Sequence, residues 1–214
     1  MGRQLFQQRE VLNYSLEASE VHVHLQFSVL PGHERTWDLV LVALTDITAR
    51  KKAEAYLEFL GKHDVLTKLR NRSFYVDELN RLERKGPFPV TVIMADLNGL
   101  KRVNDQLGHA AGDALLRRAG EVLAKAMETP FNAARIGADE FAILLPSTDE
   151  RETIRQLVDL NNQFYPGSHI SFSMGAATVQ RGERIEAAVQ RADLQMYEEK
   201  RMHYTTQQEN GADK

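Results

Sequence analysis

Two short acidic segments hold the residues whose types could do chemistry. Asp96 ends the apolar, β-branched run 90–95, and Asp139 and Glu140 lie in a Gly-containing turn between two further apolar runs. The first run predicts a buried strand with a carboxylate at its carboxyl end, and the second pair predicts a hairpin with two carboxylates at its tip. Together these carboxylates would form a hard-oxygen site suited to magnesium and a nucleotide phosphate.

The residues that follow Asp96 could bind phosphate. Gly99, Leu100 and Lys101 begin a predicted helical turn whose unpaired backbone N–H groups suit phosphate oxygens, and Lys101 adds positive charge. Gly99 also allows a close approach to the backbone. An ordinary helix start is the alternative for these three residues, as a helix cap is for Asp96 taken alone.

Composition limits the classes of function. The 214 residues are enough for one ordinary domain and a fragment of another. The net charge of −3 argues against an overall basic surface for nucleic acid, and the absence of cysteine excludes disulfides and thiol chemistry. The longest apolar run, 39–44, is too short to cross a bilayer, and no signal segment opens the chain. We therefore expect a cytoplasmic protein with no membrane span in these residues and no nucleic acid partner.

Residues 1–48 carry strand signals. Apolar residues alternate over 20–29, a Pro-Gly turn follows, and a second strand is predicted over 37–44. Two or three strands are less than a domain and need cover, which indicates the end of a sensor module. His22 and His24 share a strand face and are either metal ligands or polar positions of a half-buried strand.

Residues 49–62 are predicted to form a helical linker whose start is capped by Asp46. Its apolar stripe has the 4-3-4 spacing of a short coiled coil, which would pair two chains. Docking of one helix on its own domain is the alternative. The stripe consists of Ala49, Ala53, Tyr56 and Leu60.

Hydrophobic periodicity predicts the remaining elements. Helices are predicted over 73–85, 111–127, 150–164 and 185–200, and a strand over 170–177. The resulting order is βαββαβ-like, which predicts an α+β fold with helices on the faces of an antiparallel-containing sheet. The polar tail 205–214 is predicted to be disordered.

Five sequence blocks, in order, resemble the GGDEF domains, the family of diguanylate cyclases. The resemblance covers roughly residues 63–200 and assigns a GGDEF domain to 63–204. The segment 39–54 is similar to the closing part of a PAS sensor domain. The five blocks are 63–72 with its D-x-L-T-x-L-x-N-R pattern, 96–105, 108–113, the signature 135–141, and the final helix 191–200.

The resemblance implies a palm-like sheet related to that of adenylyl cyclase domains. It also implies an enzyme that condenses two GTP molecules into cyclic di-GMP, with release of pyrophosphate, in bacterial second-messenger signalling. Each domain would hold one GTP. The working enzyme would therefore be a homodimer with two sites face to face, joined through the linker helix.

The resemblance also assigns roles to individual residues. Mg²⁺ or Mn²⁺ would be held by Asp96, the Leu97 carbonyl and Asp139, and Glu140 would be a further ligand or base, so that Asp139 and Glu140 are the catalytic pair. The remaining assignments are Asn104 and Asp113 for guanine, and Gly99, Leu100, Lys101 and Lys200 for phosphate. An amide and a carboxylate together match the donors and acceptors of a guanine edge. A surface or capping role for Asn104 and a solvated Lys200 are the alternatives.

Three departures from the family pattern bear on activity. Gly137 is followed by Ala138 where the signature has a second Gly. An Ala there would be strained if the position needs positive φ, and its Cβ would obstruct binding if the position lies against the nucleotide. His203 and Tyr204 replace the Gly-Arg that follows Lys200. The inhibitory R-x-x-D motif would fall at 128–131, which reads Glu-Thr-Pro-Phe, so no inhibitory site is expected. The alternative function is a non-catalytic GGDEF domain that binds GTP or cyclic di-GMP as a regulatory module.

Overall fold

The computed structural model describes residues 21–33, 35–126, 133–147 and 170–212, with side chains as far as Thr205. The predicted helix over 150–164 and the segment 128–131 lie outside the described residues. The chain divides into two compact units, Met1–Phe59 and Leu60–Lys214.

The first unit contains an antiparallel hairpin of strands β1 (Val23–Val29) and β2 (Val40–Asp46). Both predicted strands are present. Strand β2 is exposed along its whole length although most of its side chains are apolar. Helix α1 (Thr48–Lys62) follows, and the Asp46 carboxylate accepts a hydrogen bond from the Thr48 N–H at 2.8 Å, as expected of a cap.

The second unit is built on a four-stranded antiparallel sheet in the order β4-β5-β3-β6. Every residue of the central strand β3 (Val90–Leu97) is buried. The other strands are β4 (Ala133–Arg135), β5 (Glu140–Pro146) and β6 (Phe172–Val179). The helices are α2 (Arg72–Lys85), α3 (Leu100–Leu107), α4 (His109–Ala126) and α5 (Ile185–Ala212).

The two faces of the sheet carry separate cores because successive side chains of β3 point to opposite faces. One core contains Ile93, Ala95 and Leu97 with the inner side of α4, and the other contains Val92 and Met94 with α2 and α5. The predicted α+β fold with helices on both faces of the sheet is therefore confirmed.

Within the second unit, which begins at Leu60, the Asn71 amide connects the start of α2 with the last residues of α1. The Asn71 side-chain oxygen accepts from the Phe74 N–H at 2.9 Å and caps α2, while its Nδ2 donates to the Leu60 carbonyl at 3.3 Å near the end of α1. The outer edge of β4 is then occupied by Arg70, which makes backbone hydrogen bonds to Ala133 and Arg135. The segment between the helices is thus tied to the sheet.

The prediction of a disordered tail from residue 205 was wrong, because α5 continues to Ala212. Residues 201–210 contain neither glycine nor proline. Where the family pattern has a glycine, which commonly ends a helix, this chain has His203. Nothing in the local sequence stops the helix at the expected place.

Asp64 connects the segment before α2 with the signature hairpin. Its Oδ1 accepts from the Thr67 N–H at 2.8 Å and hydroxyl at 2.7 Å, and Arg135 Nη1 lies 3.3 Å from it. Arg135 Nη2 in turn donates to the Ala138 carbonyl at 2.7 Å. Burial opposes ionisation of Asp64, but the bonds from Thr67 and the charge of Arg135 outweigh it and lower the pKa of this carboxyl.

We expect Asp64→Asn to reduce the free energy of unfolding near neutral pH by about 1–2 kcal/mol, since it removes charge-assisted hydrogen bonds. The folded-state pKa of Asp64 lies below its ordinary value of 3.8. Its stabilisation is therefore complete above that value and is lost as the pH falls through the lower, folded-state pKa. Urea unfolding across this pH range measures the effect, with Asp105→Asn, at an exposed position of α3, as control. A difference from the parent that does not shrink in acid would contradict the electrostatic cause.

Candidate active site

The carboxyl end of β3 and the tip of the β4–β5 hairpin meet. Asp96 lies opposite Glu140 in the β3–β5 register, and the Leu97 N–H donates to the Asp139 carbonyl at 2.9 Å. On its other side Asp96 lies opposite Ser173 of β6. The structure thus brings the three predicted acidic residues to one edge of the sheet.

Asp96 is buried, with 3% of its surface exposed. Its Oδ2 lies 2.5 Å from Lys200 Nζ, whereas its buried Oδ1 has no hydrogen-bond partner among the residues that the structure describes. Burial raises the pKa of Asp96, and the charges of Asp139 and Glu140 add to the rise against the opposing effect of Lys200. Burial acts to lower the pKa of Lys200, but its bond to Asp96 and the nearby negative charges raise it. The site therefore holds negative charge that one ammonium only partly neutralises.

The signature turn carries glycine at position 137 and alanine at position 138. A Cβ on Gly137 would lie 2.5 Å from the Glu140 Oε2, so the Glu140 side chain folds over this glycine. Ala138 does not have positive φ; among the described residues other than glycine, only Trp37, Lys68 and Ser147 do. The condition for backbone strain at Ala138 is therefore not met, because the turn forms without a left-handed residue at this position.

Helix α3 begins directly after the acidic strand end. Its N-cap is Gly99, in the left-handed region at φ 79°, where residues with a Cβ are strained. Leu100 is buried and anchors the first turn, while Lys101 is exposed. The first N–H groups of the helix have no carbonyl partner within it, so the turn can present donors to an anion.

The two predicted guanine ligands lie on neighbouring helices. Asn104 of α3 packs against α4 at Gly112, where an added Cβ would overlap the Asn104 amide oxygen. Asp113, the next residue of α4, is half exposed and lies 3.7 Å from Arg117 Nη2. The absence of a side chain at 112 is what lets Asn104 reach this position.

A buried polar cluster beside the site was not predicted from the sequence. Asn98 donates from Nδ2 to Ser171 Oγ at 3.0 Å and accepts from Ser173 Oγ at 2.9 Å. Its backbone N–H donates to the Ser171 carbonyl at 2.8 Å. These bonds fix the turn between Leu97 and Gly99. The available signal was a pair of serines two residues apart in an otherwise apolar strand.

Within the described ranges, no three His, Cys, Asp or Glu side chains gather as a group that could hold a metal ion. This applies to His22 and His24 as well as to the acidic edge. The unpartnered Oδ1 of Asp96 is nevertheless what a cation would satisfy. Magnesium takes one or two carboxylates and keeps several waters, so Asp96, the Leu97 carbonyl and Asp139 fit it without a third side chain.

No helix in the part of the chain that the structure describes is both long and apolar enough to cross a membrane.

The family described as "Diguanylate cyclase, GGDEF domain" matches residues 61–205. The match covers most of the chain and includes every candidate site residue considered above except His22 and His24. This chain therefore belongs to the GGDEF family.

Relatives and solved structures agree with this assignment. An uncharacterized signaling protein of Caulobacter vibrioides is 31% identical over 179 residues, which are 77% of this chain and 22% of that protein. The diguanylate cyclase DgcS of Shewanella oneidensis is 30% identical over 146 residues, which are 64% of this chain and 49% of that protein. The coiled coil and GGDEF domain of DgcB from Caulobacter crescentus, in complex with c-di-GMP, has TM-score 0.62 and 26% identity, covering 72% of this chain and 88% of that one. The chain thus spans less than half the length of either relative.

Proposed function

We propose that this protein is a diguanylate cyclase that joins two GTP molecules into cyclic di-GMP and releases pyrophosphate. The observation that carries the proposal is the buried Asp96, which lies opposite Glu140 and whose Oδ1 has no partner within the described part of the chain. Such a carboxylate is costly to bury unless a cation satisfies it when the site is loaded. Relatives in the family include a diguanylate cyclase of similar sequence.

Asp96, the Leu97 carbonyl and Asp139 would hold Mg²⁺ or Mn²⁺. When bound, such an ion lowers the pKa of the attacking ribose 3′-hydroxyl and neutralises charge on the leaving pyrophosphate. Glu140, whose side chain lies against Gly137, would accept a proton or complete the ligand set.

The remaining residues would bind the nucleotide. The N–H groups at the start of α3 and the Lys101 ammonium would receive the triphosphate, and Lys200 would move from Asp96 to a phosphate oxygen. Asn104 and Asp113 would pair with the guanine edge and so exclude adenine, which lacks the N1–H and N2–H donors that a carboxylate accepts from.

The product contains two guanosine units, so two such domains must meet. We assign the pairing of two chains to the linker over 49–62, which lies in helix α1. No residue of α1 is buried, and Tyr56 is one of its exposed apolar side chains. Residues 1–48 would be the end of a PAS-like sensor, and 63–204 the catalytic domain. In this arrangement the linker passes a signal from sensor to cyclase.

A non-catalytic domain that binds GTP or cyclic di-GMP is the second candidate. It is favoured by one observation: α5 runs unbroken through His203 and Tyr204, where the family pattern places a glycine and a phosphate-binding arginine. Loss of that arginine would weaken binding of the leaving group more than binding of the base.

The deciding experiment incubates the purified chain with GTP and Mg²⁺ and measures cyclic di-GMP by chromatography, with a parallel titration of GTP and cyclic di-GMP. Formation of product supports the cyclase. Binding without product supports the regulatory module instead. If the chain forms no product and binds neither nucleotide, both candidate functions are contradicted.

We expect Gly112→Ala to weaken GTP binding about tenfold, because the new Cβ displaces the Asn104 amide from the guanine pocket. The fold should survive, since the displaced atoms belong to a partly exposed side chain. A titration of GTP against the parent and Gly61→Ala measures this, as a Cβ at 61 meets nothing within 4 Å. Unchanged affinity would remove Asn104 from the proposed guanine site.

A further inference from the structure

The outer edge of strand β6 is bonded to side chains of helix α5. Strand β6 ends the sheet in the part of the chain that the structure describes, so its outward backbone groups have no neighbouring strand. Three side chains four residues apart on α5 bind three of these groups two residues apart on β6. The bonds are Arg191 Nη2 to the Thr178 carbonyl at 2.7 Å, the Ala176 N–H to Gln195 Oε1 at 3.0 Å, and the Met174 N–H to Glu199 Oε2 at 2.5 Å.

The spacings of the helix and the strand match. Four residues of helix rise about 6 Å, and two residues of strand rise about 6.7 Å. Three bonds can therefore form in sequence along the antiparallel pair without distortion of either element. Gly175 makes the close approach possible, since a Cβ there would lie 2.6 Å from the Met196 nitrogen. The contact fixes the position of α5 along its own axis.

The bond between Met174 and Glu199 lies next to Asp96, because the neighbouring residue in each element contacts or faces this carboxylate. Glu199 is followed by Lys200, whose Nζ lies 2.5 Å from Asp96 Oδ2. Met174 is preceded by Ser173, which lies opposite Asp96 in the sheet. A shift of α5 along β6 would therefore carry the Lys200 backbone away from Asp96, and the Lys200 side chain would have to reach further to keep its bond.

We propose that Glu199 and Gln195 are positioning residues for Lys200. Their side-chain oxygens hold α5 in the axial position from which the Lys200 ammonium reaches Asp96. From the same position Lys200 would also reach the triphosphate, a role that rests on the proposed function. The role needs an acceptor for a backbone N–H and not a negative charge, because Gln195 performs it with a neutral amide. Glutamine should therefore replace Glu199 in this role, and alanine should not.

The test measures how fast Lys200 is acylated in the free chain by a limiting amount of an N-hydroxysuccinimide ester, with mass spectrometry and exposed Lys101 as internal reference. We expect the Lys200 rate to rise about fivefold in Glu199→Ala, the change that corresponds to one net hydrogen bond lost. Glu199→Gln should keep the parent rate, and Gln195→Ala should give a smaller rise. Circular dichroism checks that each variant is folded at the labelling temperature.

A merely structural role would lower the melting temperature without changing the relative rate for Lys200, and that result would overturn the proposal. So would a Glu199→Gln variant as reactive as Glu199→Ala, which would show that charge matters. If Glu199→Ala does not fold, Gln195→Ala decides in the same way. The labelling uses no nucleotide, so an inactive parent would refute the proposed function and leave this test intact. In an active enzyme, Glu199→Ala should also lower kcat/KM, with recovery in Glu199→Gln.

Discussion

Asp139→Ala should abolish cyclic di-GMP formation, with a loss of at least ~10³-fold, or about 4 kcal/mol in the activation barrier. The reason is that the substitution removes one of the two carboxylates assigned to the proposed cation, so both the metal affinity and the orientation of the metal are lost. The backbone bond between the Asp139 carbonyl and the Leu97 N–H does not depend on the side chain, so the turn should survive. The rate of product formation at saturating GTP and Mg²⁺ measures the loss.

Asp105→Asn is the matched control, because it removes one carboxylate from an exposed position of α3 and should leave the rate within about twofold. Binding of Mn²⁺, followed by electron paramagnetic resonance, separates a loss of metal from a loss of the chemical step. Product that persists in Asp139→Ala would refute the assignment of this carboxylate. Loss of product together with retained Mn²⁺ binding would assign it a role other than metal ligation.

Gly175→Ala should destabilise the second unit by about 3 kcal/mol or more, since overpacking against backbone cannot be relieved by a side-chain rotation. The added Cβ would overlap the Ala192 carbonyl oxygen and lie 2.7 Å from the Gln195 Cβ. Helix α5 must then move off strand β6 or the chain must lose its fold. For a unit of this size the melting temperature should fall by roughly 6–12 °C.

Gly61→Ala is the control for backbone entropy. A Cβ at that position meets nothing within 4 Å, and alanine is the better helix former, so its stability should stay equal to the parent or rise by up to about 1 kcal/mol. Calorimetry on both variants gives the comparison. A Gly175→Ala variant as stable as the parent would show that α5 and β6 can separate without cost, contrary to their close packing.

The strand end at Asp96 and the hairpin tip at Asp139 and Glu140 could each be predicted, because local pattern determines them. A buried strand places its last residue at a sheet edge, and a hairpin places its turn at the edge of the strands it joins. What the pattern could not determine was the neighbouring order of strands, which makes Asp96 face Glu140 on one side and Ser173 on the other. That order depends on packing across the whole unit.

Polar contacts between distant segments could not be predicted either, because they too depend on packing across the whole unit. Asn98 finds its partners at Ser171 and Ser173, more than seventy residues later. Lys200 was assigned to phosphate by resemblance, and in the free chain it binds Asp96 directly. Whether Ala138 is strained could not be decided from the sequence, because the sequence shows the residue type but not the φ angle that the turn requires.

Both borders of the four-stranded sheet are closed to further strands. Arg70 occupies the β4 side with backbone hydrogen bonds, and the side chains of α5 occupy the β6 side. Open borders are where foreign strands attach and fibres start to grow. This unit should therefore resist polymerising through its sheet while folded.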